Sequence, residues 1–182
     1  MATLNWSAQL EQNLPAMDAT HREFVDLLAQ VEAASDDELT PLWREVITHT
    51  QAHFDMEDRW MLDTGFAADN CHSSQHHVVL EILRESLAQA EAGDVALVRT
   101  MTRDLASWFS YHAQTMDAAL AQHLRHVGYD PEYGTVAQPG ALPPALVSGC
   151  GGACASGNDH AVHAAVAQQM AQAAIAHAAR TD

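Results

Sequence analysis

The stretch His49–Trp60, HTQAHFDMEDRW, sets the first constraint on the fold. It has the composition of a helix, yet His49, His53 and Glu57 follow one another at four-residue steps. Residues four apart on a helix stand one above the other on one face. A helix here therefore carries imidazoles and a carboxylate along the stripe that should be buried, where leucine is easier to bury. The pattern recurs at His72 and His76, and again where His112 and Asp117 follow Met101, Leu105 and Trp108.

The rest of the chain supports helices around that stripe. Four amphipathic patterns are separated by short breakers. The first runs from about Ala16 to Ala34, with Phe24, Val25 and Leu28 on one face, and SDDELTP interrupts it. Thr40 and Pro41 are the expected N-cap and first residue of the second, which ends at Gly65. The third starts near Asp69 and Asn70, carries Val79, Leu80, Leu83 and Leu87 with its histidines, and stops at EAGD. The fourth runs from about Asp94 to Val127, with Gly128 closing it. Helices joined by connections this short pack as antiparallel neighbours. The expected fold is all-α: an up-down-up-down antiparallel four-helix bundle with an N-terminal arm and a C-terminal extension.

Residues equally far from a connecting turn lie at the same height in such a bundle. His21 and His53 are equidistant from residue 37, and Glu57 and His76 nearly so from residue 66. His72 and His76 face His112 and Asp117 about residue 93. At a rise of about 1.5 Å per residue, polar groups from all four helices meet in one layer. Five imidazoles and two carboxylates in a core cost several kcal/mol unless a strong partner is present. A metal ion is such a partner, and imidazole with carboxylate suits iron, zinc or manganese.

These segments resemble the hemerythrin family of non-haem di-iron oxygen-binding proteins over roughly residues 5 to 127. LPAMDATHREF carries His21. HFDMEDRWM resembles the family's HFxxEExxM and carries His53 and Glu57. HSSQH supplies His72 and His76, and WFSYHAQTMD resembles WLxxHxxxxD, with His112 and Asp117. Trp6 sits where the family's N-terminal arm has a Trp.

The resemblance implies two iron ions bridged by Glu57, Asp117 and an oxide or hydroxide. His72, His76 and His112 complete a six-coordinate iron. His21 and His53 leave the other iron five-coordinate, with one position for dioxygen or another small diatomic ligand. Two electrons move to the bound dioxygen, and the net charge of the site is unchanged, so no large solvation penalty arises. Asp117 is five residues beyond His112, about 140° round a regular helix, which suits a sideways reach to the second metal. Trp108 and Phe109 are expected to form the apolar lid of the oxygen pocket; relatives more often have Leu at the position of Phe109.

Other polar residues have plainer expected roles. His49 is expected to hydrogen-bond near the ligands or the bundle end. Asp58 is expected to face away from the metals, His77 to lie at the surface, and His123 and His126 to be solvated. Cys71 is expected to be a partly buried thiol, and Trp43 and Trp60 to pack or cap.

The domains expected are an arm over 1–15, the bundle over 16–128, a Pro/Gly-rich irregular linker over 129–159, and an Ala-rich possible helix over 160–182. Cys150, Cys154, His160 and His163 form a possible second metal site, with a Cys150–Cys154 redox pair or an unstructured tail as alternatives. Formal net charge is −16, which disfavours nucleic acid and anionic membranes as partners. Three cysteines are too few for a disulfide framework, no apolar run reaches spanning length and no signal peptide is apparent, so a soluble cytoplasmic protein is expected.

The expected function is reversible dioxygen binding for carriage, storage or sensing, more a binding protein than an enzyme. The alternative is a di-iron redox enzyme acting on nitric oxide or peroxide, or an iron-handling or repair protein.

Overall fold

A computed structural model gives the structure of residues 4–149. Helices α1 (Pro15–Ala33), α2 (Asp36–Asp63), α3 (Cys71–Glu91) and α4 (Ala96–His112) pack in a closed ring, α1 on α2, α2 on α3, α3 on α4 and α4 on α1. Helix α4 continues through a π-helical turn, Ala113–Asp117, into α5 (Ala118–Val127), so the fourth rod of the bundle is a single run. This is the expected four-helix bundle.

The start of α1 is fixed by a buried carboxylate. Leu14 is the N-cap and has no side chain to offer, so Asp18, one turn in, reaches back. Its oxygens accept from the backbone N–H of Gln12 at 2.7 Å and of Leu14 at 3.1 Å. Pro15 occupies the first turn, where its missing N–H costs nothing.

Helix α2 begins earlier than Thr40–Pro41 suggests. Ser35 is its N-cap, and the Glu38 carboxylate accepts from the Ser35 backbone N–H at 2.9 Å and from its hydroxyl. Asp36, Asp37 and Glu38 all fall in the first turn, where the helix dipole favours negative charge. SDDE is thus a start signal, and Pro41 is carried inside the helix. Asn70 caps α3 by accepting from the N–H groups of His72 at 2.9 Å and Ser73 at 3.1 Å, while the Ser73 hydroxyl accepts from the Asn70 N–H. That exchange sets His72 in the first turn of α3.

The buried apolar residues form two clusters. One, around Trp43, Leu39, Leu83 and Leu105, reaches Phe54, Trp108 and Phe109. The other, around Met17, Trp60, Met61 and Leu124, fills the opposite end of the bundle. Trp43 donates its indole N–H to the Ser86 hydroxyl at 2.9 Å, and Trp60 packs in the second cluster.

From Gly128 to Gly149 the chain is more regular than its Pro/Gly content suggests. Gly128 takes a left-handed φ of 63° and ends the helix. Strands β1 (Tyr129–Asp130) and β2 (Thr135–Val136) pair antiparallel, and the Asp130 side chain accepts from the N–H groups of Glu132 and Tyr133 in the turn. The Tyr129 hydroxyl donates to Asp63 at 2.6 Å, pinning the hairpin to the end of α2. A 3₁₀ turn at Pro139–Ala141 follows, and the chain then lies against the α2–α3 loop.

There Val147 N–H donates to Gly65 O at 3.0 Å, Ala67 N–H to Val147 O at 2.9 Å, and Cys71 N–H to Ser148 O at 3.3 Å. Cys71 is not the free thiol expected: it is half-buried and disulfide-bonded, in a place where the segment leading to Cys150 is hydrogen-bonded beside it. Cys150, Cys154, His160 and His163 lie outside the described residues. No helix among the described residues is long and apolar enough to cross a membrane.

Candidate metal centre

Between the two apolar clusters lies a layer of polar side chains. His21 comes from α1, His53 and Glu57 from α2, and His72 and His76 from α3. His112 ends α4, and Asp117 ends the π turn. All seven are 4% exposed or less. The four-residue steps of α2 and α3 put their pairs on one inward face, as helical geometry requires.

Asp117 arrives by a different route from the one a regular helix offers. In a π turn the hydrogen bond runs from residue i to i+5, so residues five apart come onto one face. His112 and Asp117 span such a turn, and the Asp117 Oδ1 is 3.1 Å from His112 Nε2. The sideways reach of about 140° is therefore replaced by an inward one. The Gln12 side-chain amide donates to Ala113 O at 2.6 Å, giving a carbonyl of this turn a partner from the N-terminal arm. Gln12 and Asp18 are buried polar residues outside the four motifs, and only their contacts show their purpose.

The two carboxylates straddle the layer. Glu57 Oε2 is 3.4 Å from the Nε2 atoms of both His72 and His76, while its Oε1 is 3.7 Å from His53 Nε2. Asp117 Oδ1 is 3.1 Å from His72 and His112, while its Oδ2 is 3.3 Å from His21. Each carboxylate thus turns one oxygen to a three-histidine group and the other to a two-histidine group. Two sets of atoms are close enough to hold an ion, Glu57 with His72, His76 and His112, and His21, His53 and Glu57 with Asp117. Glu57 belongs to both.

The protein's own groups do not satisfy this layer. Both oxygens of Glu57 and Asp117, both ring nitrogens of His53 and Nε2 of His76 are buried without a hydrogen-bond partner. Unpaired acceptors at this depth are costly. Burial, then the neighbouring imidazoles His21 and His72 respectively, hold His53 and His76 well below the usual histidine range. Burial also lowers His112. These rings are neutral and present lone pairs. Burial and then Asp117 push Glu57 up to about 7. Burial opposes protonation of His72, but Asp117 and Glu57 outweigh it and push His72 up to about 9. Asp117 is held low against burial by His112 and its other imidazole neighbours. The neutral rings of His53, His76 and His112 beside two buried carboxylates are a ligand set for cations, and the residues fit.

The surroundings of the two groups differ. On the three-histidine side, Phe54 stacks on His76 with centroids 3.8 Å apart and Trp108 on His112 at 4.3 Å. Asp58 does not face away: its Oδ1 lies 3.0 Å from His76 Nδ1. Position i+1 from Glu57 points outward from α2, and α3 brings His76 across to meet it. A surface groove between the two helices, lined by Gln51, Asp55, His77 and Arg84, reaches Asp58 and His76. On the two-histidine side, Phe109 meets His21 edge-on at 5.0 Å and packs on Phe24 at 4.6 Å.

The remaining histidines among the described residues are peripheral. His49 lies 3.2 Å from the Glu23 carboxylate, and His77 is exposed and pairs with Ser73 O. His126 is exposed, whereas His123 is half-buried, bonded to Thr64 O at 3.0 Å and edge-on to Phe66. Trp6 lies under the Arg22 guanidinium, 4.4 Å from its ring centroid.

Comparison with known proteins agrees with this geometry. A family model for the hemerythrin HHE cation binding domain matches residues 13–124. A bacteriohemerythrin of Ralstonia nicotianae is 35% identical over 130 residues, covering 71% of this chain and 95% of that relative. A bacteriohemerythrin of Stenotrophomonas maltophilia is 25% identical over 131 residues, and one of Pseudomonas aeruginosa 22% over 130, each alignment covering 69% of this chain and 84% of the relative. No solved structure matches significantly. With its histidines and carboxylates gathered in one buried layer, the chain belongs to the hemerythrin family.

Proposed function

We propose that this protein binds dioxygen reversibly at two iron ions bridged by Glu57 and Asp117, as a cytoplasmic carrier, store or sensor. The observation that carries the reading is the uneven division of imidazoles about two straddling carboxylates. His72, His76 and His112 with the carboxylates would hold one iron, and His21 and His53 with the same carboxylates would hold the other with one protein donor fewer, which is where a diatomic ligand would bind. Ferrous iron supplies the electrons that dioxygen takes up on binding and returns on leaving.

The chain's own groups suit a carrier better than an enzyme. Phe109 and Phe24 wall the two-histidine side and exclude water, which slows irreversible oxidation. Asp58 holds the ring of His76 from outside and keeps its Nε2 directed inward, as outer partners of metal-bound histidines do. Besides Glu57 and Asp117, the described residues offer no carboxylate within either ion-holding group.

The test is to load the protein with ferrous iron under argon, admit air, and remove it again. An iron content of two per chain and a visible charge-transfer band that appears in air and fades under argon are expected. Steady consumption of peroxide or nitric oxide with an added reductant, without a reversible band, overturns the reading in favour of an enzyme.

A further inference from the structure

We infer that Gln12, in the arm before α1, is a positioning residue for the metal centre: it holds the π turn in register and so keeps Asp117 turned toward the ion of His21 and His53. This rests on the reading of Asp117 as a metal ligand, whichever ion is bound. A π turn is one residue wider than a turn of α-helix, so its carbonyls splay from the helical ladder and need other donors. Thr115 bonds back to Tyr111 O at 2.8 Å, but Thr20, Thr48 and Thr102 do the same in regular helices, so that bond does not mark the turn. Gln12 does mark it. Its side-chain amide donates to Ala113 O at 2.6 Å, reaching the first residue of the turn from the far end of the sequence.

Gln12 is itself clamped. It is 6% exposed, and its amide nitrogen faces Leu10 O at 3.3 Å as well as Ala113 O. Two carbonyls require the NH2 end of the amide, so its orientation is settled by chemistry. Its backbone N–H donates to Asp18 Oδ1 at 2.7 Å, and its carbonyl accepts from Arg125 of α5. Asn13 then takes a left-handed φ of 54°, which asparagine tolerates, and the chain turns so that the Leu14 N–H reaches the other oxygen of Asp18. One residue thus ties the start of α1, the π turn and α5 together.

The width of the turn matters at Asp117. In the π register Asp117 shares a face with His112, and its Oδ2 lies 3.3 Å from His21 Nε2. In a regular helix it would stand about 140° round from His112 and leave the layer. The loss would fall unevenly. Glu57, His72, His76 and His112 form an ion-holding set of four without Asp117, whereas His21, His53, Glu57 and Asp117 would drop to three. Removing the Gln12 donor therefore weakens the ion of the two-histidine group more than its neighbour. A residue that only supported folding would have no reason to separate the two.

The experiment uses the full chain loaded with zinc, a diamagnetic ion that imidazole and carboxylate accept. A chelator is titrated in, and release of each ion is followed by the imidazole resonances of His53 in one group and His76 in the other. Gln12→Met keeps the length of the side chain and removes the donor. Zinc affinity reported by His53 is expected to fall about 10–100-fold, the range for loss of an outer partner of a ligand, and that reported by His76 by a smaller factor. Gln12→Ala, which removes the side chain beyond Cβ, gives the same uneven loss. Ser86→Ala, which takes a buried acceptor from Trp43 well beyond His76 on α3, lowers folding stability and leaves the ratio of the two affinities as in wild type. Crystal structures of the Gln12 variants are expected to show residues 113–117 as regular α-helix, with Asp117 turned from His21. If wild type takes fewer than two zinc ions, the reading of the centre fails and these crystal structures alone decide the claim about the turn. Unchanged affinities in the Gln12 variants, equal losses at both ions, or a π turn with Asp117 still in place would each overturn the proposal.

Discussion

The two halves of the histidine layer are built from the same donors and supported in different ways. The three-histidine half is braced: Phe54 and Trp108 stack flat on His76 and His112, and Asp58 reaches His76 from a solvent-facing groove. The two-histidine half is walled instead, with Phe109 edge-on to His21, Phe54 tilted against His53 and, among the described residues, no flat stack on either ring. Stacking and an outer hydrogen bond fix ring orientation, which suits an ion that keeps its ligands. An apolar wall without such bracing suits an ion whose remaining position a small guest enters and leaves. Glu57 and Asp117 couple the two.

The largest expected effect follows from that coupling. Glu57→Gln removes charge from both halves at once, so both ions are weakened well beyond the ~10–100-fold that loss of an outer partner causes. Iron per chain after dialysis falls toward zero, while retention of one ion would show that the halves are independent.

Next come the two phenylalanines. Phe109→Ala and Phe54→Ala each lose about 3–5 kcal/mol of folding stability in urea titrations, since both are buried. Only Phe109→Ala is expected to shorten the lifetime of the oxygenated form in air. Equal lifetimes in both variants would erase the distinction between the halves.

Asp58→Asn sharpens the comparison on the other side. Iron affinity falls about 10–100-fold with unchanged stoichiometry, because the amide orients His76 poorly and no longer supplies charge. The corresponding loss appears in chelator competition, and wild-type affinity would show that the outer contact is idle.

The smallest effect is the pH dependence of metal uptake. His72 sits at about 9, so at neutral pH an entering ion displaces its proton. Affinity therefore rises with pH between 7 and 9, by up to about tenfold per unit, and levels off above. Glu57, near 7, steepens the fall on the acid side. Calorimetry in buffers of different ionisation enthalpy measures the protons released.

Much of this was legible in the sequence because helical periodicity is a local signal. The four-residue steps at His53–Glu57 and His72–His76, with mirror distances about the turns, specify a shared layer before any contact is known. The π turn at Ala113–Asp117 leaves no such mark. A register slip of one residue is settled by what it brings together, here Asp117 against three imidazoles and Gln12 against Ala113 O. Asp58 leaves no local mark for a related reason: its partner His76 is distant in sequence, and an outward position on one helix is an inward one for its neighbour. The start of α2 was readable, since Ser35 and Glu38 have capping-box spacing, but Thr40–Pro41 offered a competing signal that lost.

The central claim is that one half of the centre keeps its ion closed while the other admits a guest. A crystal structure of the iron-loaded protein soaked in azide tests it most directly. The account predicts two ions, each carboxylate with one oxygen on each ion, and the azide bound beside Phe109 to the ion held by His21 and His53. A single ion, or azide on the ion held by His72, His76 and His112, would contradict it.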